Sequence, residues 1–357
     1  MKKFLYTLLC IIIFISLTGC NSNVLKTKEI SDDIRQSSVV LESNLKENEN
    51  YSKFLKRFSP DFTIPGLFEG FIPQSICYDE ATEKFLIGGY YENGEYPSMI
   101  CIVDKKSENF EKFVKLKNID GTFYTGHAGG IASDNGYIYV TSGGNAFVIS
   151  SKTLKKASNG DDVAFESNFK LHTKGSFANC SGGVLWVGDF IESSKKEKEK
   201  VENITTLPSG ETFYAYCEGY ILEDGLPSTE KLNSELNGYI PDYYIAIPEQ
   251  VQGIAVTNAG NFIFSTSYGR RNDSLIKFYG DVTVTEKVGE IIIDSTPVEM
   301  LACSSDILKK EYIAPPLSEG LEYDDGTLYL LFESGASKYR MSFGTSPVDT
   351  VYTAQAE

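Results

Sequence analysis

The chain has 357 residues and carries 49 Asp and Glu against 33 Lys and Arg, for a formal net charge of -16. A field of that sign opposes nucleic acid and anionic bilayer surfaces, so neither is expected as a charge-driven partner. An acidic surface attracts cations, or simply keeps the molecule soluble.

The N-terminus opens with a basic head, Lys2 and Lys3, followed by an apolar run from Phe4 to Leu17. That run is short of the ~20 residues a spanning helix needs, and small residues follow it, the layout of a secretion signal. Its ending, Leu17-Thr18-Gly19-Cys20, resembles the lipobox of bacterial lipoproteins. The resemblance implies cleavage before Cys20, palmitate-type acyl chains on the Cys20 sulfur, and a location on the extracytoplasmic face of the cell membrane. Two chains anchor firmly, because each buried methylene adds about 0.8 kcal/mol. The domains expected are a signal peptide at 1–19, an anchor, tether and short helix at 20–59, and a folded domain at 60–357.

Residues 21–59 are polar and read as a flexible tether leading into a helix over 41–58. Leu41, Leu45, Tyr51, Phe54, Leu55 and Phe58 fall roughly on helical spacing, and Pro60 ends the helix. A spacer and a helix packed on the domain are both open.

Beyond Phe62 the chain consists of short apolar and aromatic runs separated by Gly, Asn and Asp turns. One unit of strand, polar turn and strand recurs: SICYDEATEKFLIGGYY (75–91), GIASDNGYIYVTSGG (130–144), ANCSGGVLWVGDF (178–190), GIAVTNAGNFIFSTSYG (253–269) and GLEYDDGTLYLLFESG (320–335). Asp134-Asn135-Gly136 and Asp324-Asp325-Gly326 have hairpin-turn chemistry, since Asn and Gly tolerate positive φ. An all-β fold is expected, a β-propeller of five or six blades. The strand near Phe62–Ile64 is expected to complete the last sheet, and 281–316 is a candidate sixth blade. The lysine- and glutamate-rich stretch within 192–210 reads as an exposed insertion. Once Cys10 and Cys20 are set aside, Cys77, Cys101, Cys180, Cys217 and Cys303 remain. They read as buried small side chains, because they lie scattered in hydrophobic strands and no CxxC is present.

The first strand of each propeller blade lines the central channel. The polar residues opening these strands are Gln74, His127, Asn179, Gln252 and Glu319, which together form a candidate ligand or cation site. Glu319 supplies a charged oxygen, the amides neutral oxygens, and His127 a metal ligand or proton carrier. Hydrogen bonds to water or backbone account for the same residues structurally. Arg270 and Arg271 stand out in an acidic chain; placed after an inner strand, they either meet an anionic ligand at one face or pair with surface carboxylates, a contact worth little. No GxSxG elbow, GxGxxG or P-loop pattern is present, so no nucleophile or nucleotide site is selected.

Ser318-Glu319-Gly320-Leu321, together with the unit GIAVTNAGNFIFST, resembles the sugar-lactone lactonase and strictosidine-synthase-like propellers. That resemblance implies six blades and a divalent cation, Ca2+ or another, held by Glu319 with Asn179 as an amide ligand. Leu321 stands where those families carry proline, and no channel aspartate matches their base. The function expected is a lipid-anchored extracytoplasmic module that binds a small molecule or an extracellular protein or glycan. A cation-dependent lactonase or esterase-like hydrolase and a non-catalytic structural envelope protein are the alternatives.

Overall fold

A computed structural model describes residues 45–356, apart from 95, 193, 195–200, 202 and 341–345. The signal, Cys20, the tether and most of the charged insertion therefore lie outside the described residues.

The fold is an all-β propeller preceded by a short helical region. Each sheet starts at the axis with an up-and-down run of strands, and three of them add a parallel pairing toward the outer edge. Phe71–Asp79 begins the first and is followed by Lys84–Tyr91, Met99–Asp104 and Phe110–Lys117. Gly130–Asp134, Phe177–Ser181, Val251–Val256 and Ser318–Asp324 begin the others. Each of these inner strands packs against the next, and Ser318–Asp324 packs back on Phe71–Asp79, closing a ring.

Glycine makes the ring this tight. A Cβ on Gly253 would lie 2.5 Å from the Glu319 carbonyl oxygen, and one on Gly320 would lie 2.8 Å from the Ile76 amide nitrogen. The small residue opening each repeated unit thus marks where neighbouring strands meet backbone to backbone. The predicted hairpins form as expected. Asn135 (φ 44°) and Gly136 (φ 82°) join Asp134 to Tyr137, and Asp325 (φ 45°) and Gly326 (φ 82°) join Asp324 to Thr327. Both central residues in the left-handed region match the right-handed twist of the flanking strands.

The last sheet is closed by the front of the domain. Ser59–Thr63 pairs antiparallel with Thr350–Gln355, which follows Thr327–Phe332. The strand expected near Phe62 performs this closure. Of the helix expected over 41–58, residues 41–44 lie outside the described ones, and the rest is broken in the middle. Leu45 and Lys46 are helical, Asn48 is extended and caps a single 3-10 turn at Glu49–Tyr51, and a short α-helix follows over Ser52–Arg57. It packs on the propeller: Phe54 stacks on Phe58 at 4.6 Å and meets Phe332 and Tyr352.

The candidate sixth blade dissolves into its neighbours. Gly289–Ile293 and Thr296–Ala302 form a hairpin that extends the sheet begun by Phe177–Ser181, through a parallel pairing with Tyr243–Ile247. Leu308–Ala314 is the outer strand of the sheet begun by Val251–Val256. The five remaining cysteines are free thiols, all buried except the half-buried Cys180.

Candidate functional site at the channel mouth

Every inner strand runs from one face of the ring toward its hairpin turn on the other. On three of them the pairing register slips near the start: between Pro73 and Ser75, between Val251 and Gly253, and between Ser318 and Leu321. The residues at these bulges are Gln74, Gln252 and Glu319. A bulge re-aims a side chain that regular pairing would direct into a neighbouring sheet, and here it brings the three to the channel mouth.

They line a cleft of about 580 Å³ shared with His127, Glu333, Tyr90, Tyr339, Lys338, Lys174 and Arg270. At its floor the Glu319 and Glu333 side chains are buried and hydrogen-bonded to each other. Gln74 Nε2 donates to Glu333 Oε2 at 2.9 Å, and Gln252 Nε2 donates to Glu319 Oε1 at 3.3 Å. Burial, then the neighbouring charge of Glu333, pushes the Glu319 carboxyl well above the usual range. Burial also raises Glu333, to about 7, against the opposing pull of Lys338, Gln74 and Tyr339. Two like charges in contact cannot both form cheaply, so near neutral pH the pair holds a proton between them. The floor therefore both donates and accepts.

Aromatic rings form one wall. His127 stacks on Tyr90 with ring centroids 4.2 Å apart. Desolvation and then Lys338 hold its imidazole below the ordinary histidine value, so it is neutral at pH 7. Lys338 Nζ lies 5.6 Å from the Tyr90 ring centre and 5.1 Å from that of Tyr339, and it pairs with Glu92 at 3.7 Å. Arg270 stands over Tyr339 at 5.0 Å.

Four of the five sequence candidates, Gln74, His127, Gln252 and Glu319, share this cleft. Asn179 does not. Phe177–Ser181 pairs with Val184–Gly188 without a bulge, so Asn179 sits deeper in the ring. There its Nδ2 donates to Glu322 Oε2 at 3.4 Å, and its Oδ1 is buried without a hydrogen-bond partner among the described residues. Glu319 and Asn179 therefore do not converge as one ligand set. Among the described residues no group of three or more His, Cys, Asp or Glu side chains is placed to hold a metal ion. His172 lies outside the cleft, with Nε2 3.2 Å from the Tyr239 carbonyl oxygen.

Glu333 was not among the sequence candidates, yet it partners Glu319. Its signal is positional. Tyr90, Ser142, Ser267 and Glu333 all lie at or just past the ends of second strands, and all line the cleft.

No protein-family model and no curated protein matches the chain. Solved structures similar to it include the PQQ-bound aldose sugar dehydrogenase of Streptomyces coelicolor, at 10% identity and a TM-score of 0.42, covering 83% of this chain and 97% of that one. An oxidoreductase (glucose dehydrogenase) of Thermus thermophilus shows 13% identity and a TM-score of 0.42, covering 83% and 99%. The glutaminyl cyclase of Myxococcus xanthus shows 10% identity and a TM-score of 0.39, covering 77% and 89%. Likeness this slight does not bear on the site.

Proposed function

We propose that the protein is a lipid-anchored extracytoplasmic binding module whose ligand is a small polar molecule seated at the channel mouth. The observation that carries this is the buried, mutually hydrogen-bonded Glu319–Glu333 pair beneath an aromatic-walled cleft. A rigid scaffold has no structural need for two desolvated carboxyls in contact, and their setting between Gln74 and Gln252 suits a ligand that both donates and accepts. We read the ring as five-bladed, on the closed circuit of inner strands. The anchor reading rests on Leu17-Thr18-Gly19-Cys20. No helix among the described residues is long and apolar enough to cross a membrane.

The test is calorimetric titration of the full-length protein, extracted in detergent, with a panel of small polar metabolites. Saturable binding that is lost in Glu319→Ala is expected. Absence of binding across amino acids, sugars and nucleosides removes the small-ligand reading and favours the structural envelope alternative. Mass spectrometry of the N-terminal peptide, expected to begin at a diacylated Cys20, tests the anchor separately.

A cation-dependent hydrolase is the second reading, favoured by the two carboxyls, Glu319 and Glu333, that meet at the floor of one cleft. Stoichiometric Ca2+ bound by the wild type and absent from Glu319→Ala would support it.

A further inference from the structure

The cleft is lined by charges of both signs. The carboxyl pair sits on the inner strand and second-strand end of the closing sheet, with Gln74 from the adjoining sheet. Lys174 reaches the cleft from the loop ahead of Phe177–Ser181, and Arg270 from the loop after Asn261–Thr266. Gln74 spends its Nε2 on the Pro73 carbonyl and Glu333, and Gln252 spends its own on Glu319. Both amides thus turn their donor ends to the carboxyls. Lys338 already places an ammonium against the Tyr90 and Tyr339 rings, so this wall accommodates a cation.

We propose that the ligand is a small zwitterion, an amino acid or short peptide. Its ammonium enters between Glu319 and Glu333 in place of their mutual hydrogen bond, and its carboxylate faces Lys174 and Arg270. This deepens the binding-module reading and rests on it. An ammonium has three donors, and the oxygens of two carboxylates supply enough acceptors for them. A neutral sugar would leave the opposed charges unused. When the ammonium seats, Glu319 gives up its proton to solvent and both carboxylates then face a cation. The charged and titratable groups facing the pair are Lys338, Tyr339 and Tyr90, with the amides of Gln74 and Gln252.

The experiment titrates the full-length protein in detergent with the twenty amino acids, Gly-Gly, the N-acetyl and decarboxylated forms of any binder, and neutral sugars. Each titration is run in two buffers of different ionisation enthalpy. An amino acid or Gly-Gly should bind with release of up to one proton, and affinity should rise from pH 5 to pH 8. N-acetylation, which removes the cation, should weaken binding at least tenfold, as should Glu333→Gln. Lys174→Ala should weaken the amino acid several-fold while leaving its decarboxylated amine unchanged. Sugar binding without proton release would overturn the zwitterion but keep the binding module. Equal affinity for the N-acetyl form would also overturn it. Failure of every compound to bind would overturn both.

Discussion

Two acids three residues apart on one strand have opposite circumstances. Glu319 sits at a bulge, at the floor of an open cleft, against a second carboxyl. Glu322 lies deeper, where the inner strands meet backbone to backbone. It accepts from Asn179 and from the Tyr323 and Tyr78 amides, and burial pushes its carboxyl well above the usual range. Burial is the largest cause of the shift in both. Glu322 takes its hydrogen bonds from fixed partners within the protein, whereas Glu319 borders an open cleft. The comparison separates a polar group bonded within the ring from one that borders the cleft, the place where a ligand is proposed to sit.

Replacing each acid by alanine should divide them most sharply. Glu322→Ala leaves the Asn179 amide without its acceptor inside a closed site, and should cost about 3 to 4 kcal/mol in urea unfolding. Glu319→Ala opens onto the cleft, where water can enter, and should cost about 1 kcal/mol. Equal losses would dissolve the distinction.

The pH dependence comes next. Glu333 and Glu218 have folded-state values raised to about 7 and about 8, in both cases mainly by burial. A carboxyl raised on folding favours the native state while protonated, below the unfolded value of 4.5, and that advantage is lost as pH rises toward the folded value. Together the two should lower stability between pH 5 and pH 8 by on the order of 6 kcal/mol. Glu333→Gln should flatten the part of that slope due to the mouth. A profile flat over this range would show both carboxyls to be ionised already in the native state.

Gly253→Ala probes the crowding of the ring directly. Its new methyl would meet the Glu319 backbone, and a loss of about 2 kcal/mol is expected by thermal melting. The smallest effect belongs to the amides. Gln74→Ala removes a 2.9 Å bond to Glu333 and should cost about 1 kcal/mol, while Gln252→Ala removes a 3.3 Å bond and should cost less.

Much of the fold was legible because it repeats. The small residue opening each unit, the Asn135-Gly136 and Asp325-Gly326 turns and the closing strand near Phe62 are local signals, and the structure uses each of them. The stretch 289–302 has the composition of a strand pair, but composition does not say which edge it joins, and it joined an existing sheet. The site was legible only in part, for a related reason. Register decides which side of a strand a residue faces, and a bulge shifts that register by one. Gln74, Gln252 and Glu319 share a bulge that Asn179 lacks, and no residue type announces it. Glu333 follows an apolar run at the far end of its hairpin, and only the folded pairing brings it against Glu319.

The ring closes on itself through hydrogen bonds, between Ser59–Thr63 and Thr350–Gln355. That seam is where a circular sheet assembly would part under load. A pull on the chain ahead of Leu45 does not reach it first. It meets Tyr51, held to Asp273 at 2.8 Å, and then Phe54 and Phe58, wedged among Phe332, Tyr352 and Tyr312. Force applied at the proposed N-terminal anchor would thereby be borne by this aromatic clamp before the closing strand is strained. The short helix would then serve as strain relief, like the collar that protects a cable where it enters its socket.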